Sequence, residues 1–199
     1  MKRLSERAKM TTRTIAYGAA STALVAVATM LGFSSAQFYF NLGDALILLV
    51  SAIFGPVIGM IAGGIGSFLA DLAVYPATMF FTLAIKGLEG LLAGVLFSVI
   101  GKKIKGKKAS WTLSFVAAVV STAVMMTGYF ICQTFFYGTY ASALVALPMD
   151  AVQASVSAVL AFVLLFPLKL ISFKDRLPKT LKRIPKDPKE EEQSPTEED

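Results

Sequence analysis

The sequence predicts an all-α fold, a polytopic membrane bundle of six transmembrane helices with both ends on the cytoplasmic side. Three observations carry this reading. The 199-residue chain is 55% hydrophobic and only 16% charged, with a mean hydropathy of +0.66. Its charges are clustered, so that residues 14–43, 45–70 and 110–149 carry none. The apolar runs are continuous rather than alternating, and a bilayer core of about 20 helical residues leaves backbone groups no water to bond. Continuous runs therefore mean helices rather than barrel strands.

The first helix is expected from about Thr14 to Phe33, after a basic N-terminal segment (1–13) holding Lys2, Arg3, Arg7, Lys9 and Arg13. Its apolar run, about 20 residues, exceeds the 7–15 of a secretory h-region, so no cleavage is expected at Ser34-Ser35-Ala36. An aromatic connector, Gln37 to Asn41, leads to a short second helix over about Gly43–Phe54. That helix stops at Gly55-Pro56, because proline disfavours helical geometry in the residue before it. The third helix is expected over Pro56–Ala73, the fourth over Thr78–Ile100, the fifth over Trp111–Phe130 and the sixth over Leu147–Ile171. The six-helix domain thus covers 14–172. The tail, 173–199, is rich in Pro, Lys and Glu and is expected to be cytoplasmic and largely disordered.

Charge placement fixes the count. Of 19 Lys and Arg residues, five precede the first helix, five lie within 102–108, and eight lie at or beyond Lys169, leaving only Lys86. Six helices with the N-terminus inside put all three basic blocks in the cytoplasm, whereas five would place the 102–108 block outside. The basic excess is accordingly a topology signal rather than a nucleic-acid surface, and no nucleic-acid partner is expected.

Five ionisable side chains fall within the membrane region: Asp44, Asp71, Lys86, Glu89 and Asp150. Such residues are costly in lipid and point to function. On this topology all five lie toward the outer side, where Tyr129, Gln133 and Gln153 join them. Lys86 and Glu89 are i,i+3 neighbours that can pair on one face, and Asp150, Gln153 and Ser157 form one stripe. An outward-facing cavity lined by carboxylates, amides and aromatics is the simplest arrangement. Interfacial helix capping remains an equally good reading of Asp71 and Asp150. It fits Glu89 less well, about 11 residues and roughly 16 Å into its helix.

Small residues form a second pattern. Gly55, Gly59, Gly63, Ser67 and Asp71 recur at i+4, giving the third helix a smooth face of the kind that packs closely in lipid. Ala16, Ala20 and Ala23 mark a similar face on the first helix, open to internal packing or to a partner.

Other chemistry is excluded. There is no histidine and one cysteine, which removes Ser-His catalysis, most zinc sites and any intrachain disulfide. No phosphate-binding loop is present, so the chain is not expected to hydrolyse ATP itself. No cofactor, metal or enzymatic activity is expected. An aspartyl-type intramembrane enzyme would need two acids together, such as Asp44 and Asp71, but their surroundings match neither Tyr-Asp nor Gly-x-Gly-Asp.

The segments Asn41-Leu42-Gly43-Asp44, Phe54-Gly55-Pro56-Val57-Ile58-Gly59, Gly63-Gly64-Ile65-Gly66 to Asp71-Leu72, and Lys86-Gly87-Leu88-Glu89-Gly90 carry a resemblance. Over about residues 14–172 the chain resembles the S components of energy-coupling factor (ECF) vitamin transporters, closest to the hydroxymethylpyrimidine, pyridoxine and riboflavin-type members. The resemblance implies a substrate-binding subunit in a bacterial plasma membrane, working with a coupling transmembrane protein and two cytosolic ATPases. It implies that Ala16, Ala20 and Ala23 face the coupling protein. The vitamin site would draw on Tyr39, Asp44, Lys86, Glu89, Tyr129, Gln133, Asp150 and Gln153, with Phe40 and Tyr75 as further ring-stacking candidates and the first connector closing over the ligand. The alternative is an autonomous small-molecule transporter or channel, which would need no partner.

Overall fold

The computed structural model describes residues 2–34, 39–104, 106–137 and 139–172. The 173–199 tail, expected to be disordered, lies outside the described residues. Six helices form the bundle: α1 (Lys2–Met30), α2 (Gly43–Phe54), α3 (Pro56–Val74), α4 (Met79–Lys103), α5 (Lys107–Tyr137) and α6 (Tyr140–Leu165). Short 3-10 turns, Pro76–Thr78 and Leu170–Ser172, precede α4 and follow α6. The α1–α2 connector contains two-residue strands, β1 (Phe33–Ser34) and β2 (Tyr39–Phe40), paired antiparallel with Phe33 opposite Phe40.

Among the described residues four helices are long and apolar enough to cross a membrane, α3 to α6, while Thr14–Met30 and Gly43–Phe54 form shorter apolar helices. The molecule is an all-α, multi-pass membrane bundle. Its outward surface carries large apolar side chains such as Phe80 on α4, Val116 on α5 and Val159 on α6, which lipid solvates and water would not.

Several boundaries differ from those expected. Helix α1 extends back through the basic segment to Lys2 and ends at Met30, because helical hydrogen bonding does not require apolar side chains. Helix α5 runs two turns beyond Phe130, to Tyr137, so Gln133 lies within it. Three of its hydroxyls are satisfied within the helix: Ser121 bonds the Ala117 carbonyl, Thr127 that of Ala123, and Thr134 that of Phe130. A further difference is α6, which starts at Tyr140 rather than near Leu147 and runs through Pro148. Proline is favoured at the first position of a helix and removes a bond inside one, so the local signal imitates a helix start. Asp150 therefore sits within α6 rather than opening it.

Helix α2 is the hub. It touches α1, α3, α4 and α6, and nine of its 12 residues are buried. At about 1.5 Å per residue it spans roughly 18 Å, short of the ~30 Å bilayer core. It ends at Gly55, whose φ of 88° is reached readily only by glycine, and Pro56 then occupies the first turn of α3.

The small-residue face of α3 packs as the i+4 pattern predicts. A Cβ on Gly59 would strike Ser51 of α2 and the Gly90 carbonyl of α4, and one on Gly63 would meet the Lys86 carbonyl and Ile47. Gly94 lies equally close to Pro56. This backbone approach brings the polar face of α4 against α2. Apolar packing below it, including Leu48, Ala52, Ala93, Phe97, Ala158 and Leu165, joins α2, α4, α5 and α6.

Candidate functional site

The polar layer is assembled by α2 through α6. Asn41 shapes its entrance: its side-chain oxygen accepts the Gly43 N–H at 2.8 Å, closing an Asx turn that starts α2. Asp44 then falls in the first turn, where the helix dipole favours a carboxylate. Its side chain points inward and is fully buried.

Lys86 reaches it from α4. The ammonium is ion-paired and hydrogen-bonded to Asp44 Oδ1, and both side chains are sealed from solvent, at 2% and 0% exposure. Glu89 Oε2 lies 3.7 Å from the same ammonium, realising the i,i+3 pairing. The ammonium also sits 5.3 Å above the ring of Tyr129 on α5, within cation–π range. From α6, Gln153 Nε2 donates to Asp44 Oδ2 at 2.6 Å, and Gln153 Oε1 accepts the Asn41 N–H at 2.9 Å. A buried charge is tolerable only when paired and hydrogen-bonded, and Lys86 and Asp44 meet that condition.

Glu89 does not. It is fully buried, and among the described residues neither carboxylate oxygen has a hydrogen-bond donor. Gln133 Oε1 and Asp150 Oδ2 likewise have no hydrogen-bond partner there. These two residues are only half-buried, and Asp150 feels the charges of Lys86 and Asp44 and interacts with the neutral Gln133 amide. The expected open cavity thus takes a different form. Asp44, Lys86, Glu89 and Gln153 make a closed inner cluster, with Tyr129, Gln133 and Asp150 on its less buried flank.

Of the expected site residues, the structure brings together Asp44, Lys86, Glu89, Tyr129 and Gln153, with Gln133 and Asp150 alongside. The Tyr39 side chain lies outside the described residues. Tyr75 caps α3 and is 47% exposed. Asp71 is not paired with Asp44; its electrostatic neighbours are Thr82 and Lys86. Ala16, Ala20 and Ala23 are all exposed, whereas α1 packs on α3 through Thr22 and Val25 against Gly66. Among the described residues no cluster of His, Cys, Asp or Glu has a metal-binding arrangement.

Sequence reasoning overlooked Thr82, whose hydroxyl lies 3.1 Å from the Tyr129 hydroxyl. Its position one turn before Lys86, on the same stripe, was the available signal. It also overlooked Ser51, which donates to the Gly90 carbonyl at 3.0 Å across α2 and α4.

Comparison with known proteins bears on this arrangement. Residues 9–170 match the family described as "ECF-type riboflavin transporter, S component". The chain belongs to that family. As an S-component family member it is a transport subunit rather than a representative of an enzyme family, and its family implies a vitamin substrate and ECF partners. Two relatives are similar over part of their length. An uncharacterised protein of Pyrococcus woesei is 40% identical over 117 residues, covering 57% of this chain and 74% of that protein. A protein of Lactococcus lactis subsp. cremoris named "Thiamine precursor transporter HmpT" is 38% identical over 113 residues, covering 56% of this chain and 58% of that protein.

Proposed function

We propose that this S component captures a water-soluble vitamin or vitamin precursor on the outer side of a bacterial plasma membrane. Uptake would be driven by ATP through a coupling transmembrane protein and two cytosolic ATPases. The ligand is a hydroxymethylpyrimidine- or pyridoxine-like ring, and the observation that carries this reading is Glu89. Its carboxylate is fully buried beside a lysine already committed to Asp44, and among the described residues neither oxygen has a hydrogen-bond donor. A buried acceptor without a donor costs about 1–3 kcal/mol or more when charged, so a ligand offering amino, hydroxyl or protonated ring donors gains what the free protein lacks. Two buried carboxylates facing one ammonium also favour a neutral or cationic ligand over an acid. Gln133 and Asp150 would complete the polar contacts, and Tyr129 the aromatic one.

The name of the Lactococcus relative supports a pyrimidine precursor; the family description favours riboflavin as the second reading. Thermal-shift and calorimetric titrations of the purified protein with hydroxymethylpyrimidine, pyridoxine, thiamine and riboflavin separate the two. Stabilisation by either of the first two ligands is expected. Stabilisation by riboflavin alone would overturn the choice of ligand, and no response to any of the four would overturn the vitamin site.

A further inference from the structure

Gln153 was expected to contact ligand, yet both ends of its amide are occupied. The oxygen accepts the backbone N–H of Asn41, 112 residues away, and the NH2 donates to Asp44, 109 residues away. Both bonds are buried, and the side chain is 4% exposed. One α6 residue therefore bridges Asn41, two residues before α2, and the carboxylate that holds Lys86. The segment it grips is tightly held: a Cβ on Gly43 would meet the side chains of Thr29 and Asn41. The polarity of the bridge is fixed, because flipping the amide would set its NH2 against the Asn41 N–H and its oxygen against the Asp44 carboxylate.

We propose that Gln153 is a positioning residue that couples Asn41, just ahead of α2, to the buried Asp44–Lys86 pair, holding the Asn41 backbone while the pair is intact. A charge-assisted bond to Asp44 polarises the amide, which strengthens its oxygen as acceptor for Asn41. Anything that draws Asp44 from Gln153 weakens the hold on Asn41. Where this bears on transport it rests on the vitamin-site reading, since a ligand engaging the cluster would then loosen or tighten the segment beside it. The coupling itself belongs to the ligand-free protein and is testable there.

The measurement is amide hydrogen exchange at Asn41, resolved by NMR or fragmentation mass spectrometry, on the full chain without ligand. Q153M keeps the side-chain length and removes both bonds, and exchange at Asn41 should rise by about tenfold or more while α3 to α5 stay protected. D44A should raise exchange at Asn41 too, and D44A/Q153M should exceed neither single variant by more than about threefold, because both cut one relay. Q153E sets two carboxylates against each other and should also release Asn41. D44N/Q153E restores a donor opposite an acceptor with the net charge unchanged, and should return protection to within about threefold of the parent. The proposal is overturned by parent-rate exchange at Asn41 in Q153M, by a rise in Q153M shared across the whole bundle, by full additivity with D44A, or by no rescue in D44N/Q153E. The vitamin reading fails separately, through the absence of ligand stabilisation in the parent protein.

Discussion

Lys86 of α4 and Asp44 of α2 form a fully buried ion pair 42 residues apart in sequence, inside a bundle whose outer faces are apolar. The pair joins the hub helix to the longest polar stripe of α4, which runs Thr82, Lys86, Glu89 at helical spacing. Its removal should expose how far the bundle relies on it.

K86M leaves two buried carboxylates without their cation and should destabilise the protein by about 3–5 kcal/mol. D44N/K86M should recover part of that loss, since one uncompensated charge is then gone. Detergent unfolding of the single and double variants gives the coupling energy directly. Additive losses would mean that the pair contributes nothing as a pair.

E89Q removes the 3.7 Å ion pair with Lys86 but no hydrogen bond among the described residues, and Asp44 still balances the lysine, so it should cost little stability. It should weaken vitamin binding by about 10- to 100-fold, the loss expected for a charge-assisted hydrogen bond. Calorimetry with the ligand identified by the thermal-shift screen measures this. Unchanged affinity would remove Glu89 from the site.

Gly90 should not tolerate a side chain. G90V drives a Cβ into the Gly59 carbonyl, where backbone must move, at a cost of about 1–3 kcal/mol. G101A, with nothing near its added Cβ, should instead be neutral or stabilising by up to about 1 kcal/mol. Thermal unfolding of the two variants provides the contrast.

A20W should leave vitamin binding intact and block capture of the coupling protein and ATPases in pull-down experiments. Ala20 is exposed and lies away from the α3 contact made by Thr22 and Val25. Undiminished capture would place the partner surface elsewhere.

Topology can be read with single cysteines in a C132A background, Cys132 being buried. A membrane-impermeant maleimide should label T139C in intact cells and G106C only after permeabilisation. The reverse pattern would invert the bundle.

Features that depend on local composition were legible in the order of residues alone. Continuous apolar runs specify membrane helices, and the three basic blocks order them. The i+4 spacing of Gly55, Gly59, Gly63 and Ser67 specifies a close-packing face, and the i,i+3 spacing of Lys86 and Glu89 specifies their shared stripe. Each of these is a repeat within one segment. Even there, Pro148 misled, because a proline at a helix start and one inside a helix look alike until the flanking turns are seen.

Which polar groups meet depends on how the helices pack. Nothing local makes Lys86 choose Asp44 over Asp71, or gives Gln153 to Asn41 and Asp44 rather than to a ligand. Those choices follow from how closely α3 and α4 approach through glycine, from the shortness of α2, and from the face that α6 turns toward it. In a low-dielectric interior a few ångströms separate a paired charge from an uncompensated one. Helix crossing therefore set the chemistry of the site, while hydropathy set only the membrane in which it lies.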